Sequence, residues 1–225
     1  MKWILQFFTS SIGRKIIMSL TGLFLILFLA VHLLGNLQLI VNDEGEAFNV
    51  YSDFMSHNPL IQLISKGNFF FIILHAIQGF VLYFKNKKAK GSKYAVSPKE
   101  TSSWASRNMA LLGTLILAFI LMHLGHFWFR FKFGSELPMV NYDGADVINA
   151  YTSVSYVFSN PIWVALYIVG LIALAFHLLH GFQSAFQTLG LNHKKYTPII
   201  SFVGTAYAIL IPIGFAIIPL YMFFR

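Results

Sequence analysis

Six histidines, His32, His75, His123, His126, His177 and His180, lie in stretches of sequence that contain no Asp, Glu, Lys or Arg. An ionisable side chain in such apolar surroundings is costly to keep and is a functional candidate by default. Neutral imidazole can ligate a metal such as haem iron, relay protons, or hydrogen-bond across helices. An interhelical hydrogen bond explains one lone histidine as well as ligation does. Six on four apolar segments, with no carboxylate among them, favour ligation. The other two, His57 before Asn58-Pro59 and His193 before Lys194, fall in polar gaps and read as solvated loop residues.

The elements that must position these rings are long apolar runs. Segments 16–41, 69–84, 109–129, 161–186 and 199–224 carry no charged residue. The second is shorter than the roughly 20 residues that cross a bilayer, so it is expected to begin near Pro59, with Lys66 snorkelling outward. The expected helices are 16–41, 60–85, 107–131, 160–187 and 198–224, with a kink in the fifth at Pro212 and Pro219. With 57% hydrophobic residues, 11% charged and a mean hydropathy of +0.68, the chain carries more apolar surface than a soluble domain could hide. The expected fold is one all-α integral membrane domain over residues 1–225, its first four helices forming a haem-binding bundle. With no cysteine, the chain cannot form disulfides, thiolate iron–sulfur ligation or a covalent c-type haem. The first apolar run is followed by no small-residue cleavage pattern, so no cleavable signal peptide is expected.

The gaps alternate in charge. Lys2, Arg14 and Lys15 precede the first run; Lys85, Lys87, Lys88, Lys90, Lys93, Lys99 and Arg107 fill the second gap; Lys194 and Lys195 lie in the fourth. Asp43, Glu44, Glu46 and Asp53 mark the first gap, and Glu136, Asp143 and Asp146 the third. Basic gaps face the cytoplasm, so the expected setting is a bacterial cytoplasmic membrane with the N-terminus inside and the C-terminus outside. The net charge of +8 then reports orientation in a lipid bilayer, not a nucleic-acid partner. Trp3, Trp104, Trp128 and Trp163 all fall near span ends, as an interfacial aromatic belt requires. Pro138, Gly144 and the tract Ser153–Asn160 suggest short ordered caps in the outer gaps. The gap 86–106 reads as a solvated basic loop, serving orientation or the docking of an acidic partner.

Depth sorts the histidines. At ~1.5 Å of rise per residue, His32 lies about 9 residues before the outer end of its run, and His123 about 7 before the outer end of its own. His75 and His177 each lie about 10 residues before an inner end. An outer pair, His32 with His123, and an inner pair, His75 with His177, would be filled naturally by two stacked bis-histidine haems. Gly170, Ala173, Gly181 and Ser184 recur with His177 at helical spacing and Gly79 follows His75 by one turn, giving small-residue faces that suit a flat porphyrin or close helix packing. His126 and His180, each one turn from a ligand candidate, could replace it, or could bond haem propionates, a quinone or another helix.

The order and spacing of several motifs carry a resemblance over nearly the whole chain. They are Ser11-Ile-Gly-Arg-Lys15 leading to Thr21-Gly22, His32-Leu-Leu-Gly-Asn36, Ala47-Phe-Asn49 with Phe54-Met55, His75-Ala-x-x-Gly79, Met122-His123, and Tyr167-Ile-Val-Gly170 leading to Phe176-His177, Gly181 and Thr188-x-Gly190. The chain resembles the cytochrome b membrane-anchor subunit of succinate dehydrogenase and fumarate reductase, in its single-chain, five-helix, di-haem class. The resemblance implies two haem b groups ligated by His32, His75, His123 and His177, first with third and second with fourth. It also implies a flavoprotein and an iron–sulfur subunit on the cytoplasmic face, and a membrane quinone, menaquinone in this class. Arg14, Lys15, Ser19, Arg107 and Arg130, near span ends, are candidates for haem propionates, and Asn36 and Gln38 for a quinone. Residues 161–187 contain no acidic residue, so the buried acid that some members carry in the fourth helix has no counterpart here. An anchor of a formate dehydrogenase or hydrogenase, and a haem-free transporter, are the alternative readings.

Overall fold

In a computed structural model the chain is described over residues 2–89, 103–134 and 137–225. Lys90, Lys93, Lys99 and Glu136, used above to orient the chain, lie outside these residues. A short helix α1 (Lys2–Thr9) turns at Ser10 into α2 (Ser11–Asn36), which continues as a 3₁₀ turn over Leu37–Ile40. Then come α3 (Glu46–His57), α4 (Pro59–Ala89), α5 (Trp104–Arg107) and α6 (Met109–Leu124), the last extended by a π-helical turn, Gly125–Phe129, and by α7 (Arg130–Phe133). Strands β1 (Met139–Tyr142) and β2 (Ala145–Ile148), α8 (Ala150–Phe158), α9 (Pro161–Thr188) and α10 (Thr197–Phe224) complete the order.

Five of these elements, Ser11–Ile40, Pro59–Ala89, Met109–Phe133, Pro161–Thr188 and Thr197–Phe224, are long and apolar enough to cross a membrane. Leu27, Leu34, Leu121, Ile162 and Phe202 all point outward, Phe202 with 75% of its surface exposed. Such a continuous apolar exterior belongs against lipid. Local chemistry sets the helix starts. Ser10 Oγ accepts from the Gly13 amide at 3.0 Å, Asn58 Oδ1 from Leu60 at 3.0 Å, and Asn160 Oδ1 from Ile162 at 2.9 Å. Pro59 and Pro161 follow two of these caps at the first helical position, where their missing N–H costs nothing. Pro212 and Pro219 do not interrupt α10, which continues through both with their rings buried.

Around the bundle, α2 packs against α4 and α9, and α6 packs against α9 and α4. The four therefore stand in the cyclic order α4, α2, α9, α6, which places α2 opposite α6 and α4 opposite α9. Helix α10 lies outside this square along the α2–α9 edge. The Tyr207 hydroxyl donates to the Ile26 carbonyl of α2, and Ala208 packs with Leu171, Leu174 and Leu178 of α9. Here "inner" denotes the end where α2 begins and "outer" the opposite end.

The all-α expectation is corrected at the outer end, where β1 and β2 form an antiparallel hairpin with Tyr142 paired to Ala145. Its two-residue loop is Asp143-Gly144, with φ of 51° and 88°. Asp-Gly with left-handed φ at both positions is the turn that matches strand twist, and this dipeptide was the available sequence signal. The hairpin, α3 and α8 form a cap held by Asn49, which is fully buried. Its Nδ2 donates to the Tyr142 hydroxyl at 3.0 Å and to Asn149 Oδ1 at 3.3 Å, and its Oδ1 accepts from the Tyr151 amide at 2.8 Å. Arg225 closes the cap by donating to Tyr151 Oη and Asn42 Oδ1, each at 3.0 Å. Asn49→Ala strands several buried partners and should cost about 2 kcal/mol or more. Asn141→Ala, which removes the exposed bond to Asp146, should cost under about 0.5 kcal/mol. Thermal unfolding of both variants in detergent checks the difference.

Candidate functional site

Each of the two histidine pairs joins helices at opposite corners of the square. His32 of α2 and His123 of α6 bring their ring centroids to 5.9 Å, with planes at 90°. His75 of α4 and His177 of α9 meet at 6.2 Å and 65°. The corner helices do not pack on each other, so the rings meet across the bundle axis. The two levels are separated consistently on three helices. On α2, Thr21 touches His75 while His32 is 11 residues on. On α6, Gly113 faces His177 and His123 is 10 residues on. On α9, Tyr167 faces His123 and His177 is 10 residues on. At the helical rise the levels stand about 15 Å apart.

The polar atoms around these rings are sparsely satisfied. Nδ1 of His123 and Nδ1 of His177 are buried without a hydrogen-bond partner. His75 Nδ1 lies 3.0 Å from Thr21 Oγ1. His32 Nδ1 lies 3.3 Å from Asn36 Nδ2, which also donates to the His32 carbonyl at 2.7 Å. Asn36, a quinone candidate on sequence, is thus turned onto the His32 ring. Gln38 lines an open outer groove with Asp43, Glu46 and Tyr51.

The neighbouring histidines point elsewhere. The π-helical turn Gly125–Phe129 rotates His126 toward α9, where its Nδ1 meets the Tyr167 hydroxyl at 3.2 Å and its ring abuts Trp163 at 4.5 Å. Of the roles open to His126, this is the interhelical bond. His180 sits one turn inward of His177, half-buried and outside the two ring pairs. His57 is exposed and pairs with Asp53 at 3.3 Å, and His193 Nδ1 accepts from the Lys195 amide.

The basic and hydroxyl candidates lie at the ends. Arg14 Nε donates to the Thr9 carbonyl and Ser19 Oγ to the Lys15 carbonyl, so both are engaged in shaping the start of α2. Lys15 and Arg107 are exposed at the inner end. Arg130 stacks over Tyr156 at 5.7 Å at the outer end. The small-residue face of α9 is divided. A Cβ on Gly170 would collide with the ring of Phe119, so that position serves α6–α9 packing, whereas a Cβ on Gly181 would meet nothing within 4 Å.

Two polar residues on the inward side of the helices, Asn68 and Gln78, went unread in the sequence, and Thr21 stood there only within a motif, with no role given to it. Asn68 and Gln78 share the face of α4 that carries His75, at helical spacing, and Asn68 Oδ1 and Gln78 Oε1 are both buried without partners. That shared phase was the signal that could have found them. Among the described residues no cluster of three or more His, Cys, Asp or Glu side chains forms. Compared with models of known families, with curated proteins and with solved structures, the chain matches none.

The division of the α9 face gives a direct test. Gly170→Ala should lower the melting temperature, by the equivalent of about 1–3 kcal/mol of overpacking, while Gly181→Ala should be neutral within about 0.5 kcal/mol.

Proposed function

We propose that this chain is the membrane-anchor, di-haem cytochrome b subunit of a succinate:quinone oxidoreductase. It would pass electrons between a cytoplasmic iron–sulfur subunit, itself served by a flavoprotein, and a membrane quinone. The observation that carries the haem part is the meeting of two imidazole pairs across the bundle axis at two depths. A metal–imidazole bond is about 2 Å long and a ring centroid lies about 1 Å further on, so two rings on opposite faces of one metal ion have centroids about 6 Å apart. The centroid separations of 5.9 and 6.2 Å agree with that. Two protein ligands are too few for a bare ion, which takes four or more. They would suit a metal that brings further ligands of its own, as haem iron does. The buried, unpartnered Nδ1 atoms of His123 and His177 also fit rings whose orientation is set by ligation rather than by protein hydrogen bonds.

In this reading His32 and His123 hold the outer haem, and His75 and His177 the inner one. Bound haem supplies a one-electron carrier at each depth. The chain's own part is to fix the rings, keep water from them, and set the separation of the levels. The succinate and quinone assignment is supported by the sequence resemblance, and the cytoplasmic side of the inner end by its lysines and arginines. Gln38, which lines the outer groove, is the amide proposed to meet a quinone, and Arg14, Lys15, Arg107 and Arg130, near the helix ends, are those proposed for propionates.

A pyridine-haemochrome assay on the purified chain tests the reading, and two haems b per chain are expected. His32→Ala and His123→Ala should each halve the haem content by removing the same spectral component. His75→Ala and His177→Ala should remove the other, and His126→Ala and His180→Ala should retain two. Absence of haem from the parent chain would refute the assignment. Succinate added to the native complex should reduce at least one haem. A complex reduced by formate or hydrogen, and not by succinate, would point to a different respiratory anchor.

A further inference from the structure

We propose that Thr21 is a positioning residue for the inner centre: its hydroxyl oxygen accepts the Nδ1–H of His75, fixing that tautomer and leaving Nε2 as the free donor. This rests on the di-haem reading above. The two residues are 54 positions apart, on α2 and α4, and their Oγ1 and Nδ1 atoms stand 3.0 Å apart. A threonine hydroxyl has one proton, and here it is spent within α2, donated to the Ile17 carbonyl at 2.8 Å with the Met18 carbonyl at 3.1 Å. What Oγ1 has left to offer His75 is a lone pair, so the imidazole must donate. Neutral imidazole carries one proton, so protonation at Nδ1 places the metal-binding lone pair on Nε2.

The surroundings keep this bond dry and exact in register. Thr21 is 3% exposed, so water does not compete for it. Gly22, the next residue, lets the ring pass close to α2: a Cβ there would stand 3.2 Å from His75 Cε1. At the outer level the neighbour of His32 Nδ1 is instead the side-chain amide of Asn36, 3.3 Å away on the same helix. An acceptor on the far nitrogen of a metal-bound imidazole raises its basicity and stabilises the oxidised metal. Removing that acceptor should therefore raise the reduction potential of the inner haem and spare the outer one.

The test is a redox titration of the haem-loaded protein as the parent, Thr21→Val and Thr21→Ser, with His177→Ala identifying the inner wave by its loss. Val is close to Thr in shape and removes only the oxygen, whereas Ser keeps it. The expected result is two haems in all three. In Thr21→Val the inner wave moves to higher potential with the outer wave in place, and Thr21→Ser returns it to the parent position. Loss of the inner haem alone in Thr21→Val, with two retained in Thr21→Ser, would also support the assignment. Unchanged potentials and haem content in Thr21→Val would overturn the role of Thr21 and leave the di-haem reading standing. So would equal disturbance of both haems, or a Ser variant that behaves as Val does. A parent chain without haem would overturn both.

Discussion

The structure depends on a conflict between imidazole and hydrocarbon. A ring with two polar nitrogens cannot face lipid without loss, so four helices turn their histidines to a common axis. Pairing across opposite corners follows from that: a ring on one corner reaches the axis and meets there the ring that comes from the opposite corner at the same height. Adjacent helices can then pack through apolar contacts, as α9 and α10 do around Ala208. The paired imidazoles are gathered in two layers, and each helix is free to be lipid-like on its outer face.

Each layer is finished by different means. The inner one borrows a hydroxyl from a neighbouring helix, Thr21 toward His75, and the outer one an amide from one turn away on the same helix, Asn36 toward His32. The outer level is also wrapped in aromatic rings: His123 lies between Phe119, Phe127 and Tyr167, and His32 between Phe28 and Phe215. The fifth helix contributes Phe215 to that wrapping, so it is more than a spectator beside the four.

Much of this was legible because membrane depth is linear in sequence. Counting residues from charged ends places His32 level with His123 and His75 level with His177, and the structure brings those same rings together. Rotation about a helix axis is harder to count. The sequence favoured His123 over His126 by depth alone, and the structure sends the first to the axis and, through a π-helical turn, the second to Tyr167. Asn36 was read as a hydrogen-bond donor to a quinone because an amide near a span end has many uses; in the structure its side chain bonds one helical turn back, at His32. Gly170 and Gly181 look alike in a row of small residues, yet only the first is filled by a neighbour's ring. The hairpin at Asp143-Gly144 was legible only as a short ordered cap, because strands of four residues carry too little alternation to stand out beside long apolar helices.

The outer cap has a consequence for assembly order. Asn49 bonds to partners 93 to 102 positions away, and Arg225 reaches Asn42 across 183. The Asn49 contacts can close once α8 has formed, whereas those of Arg225 wait until the last turn of α10 is in place. The latch over Tyr151 and Asn42 is therefore a record of completed insertion. A chain stalled before its fifth crossing would keep both histidine levels but leave the cap unfastened, open to the proteases that survey unfinished membrane proteins.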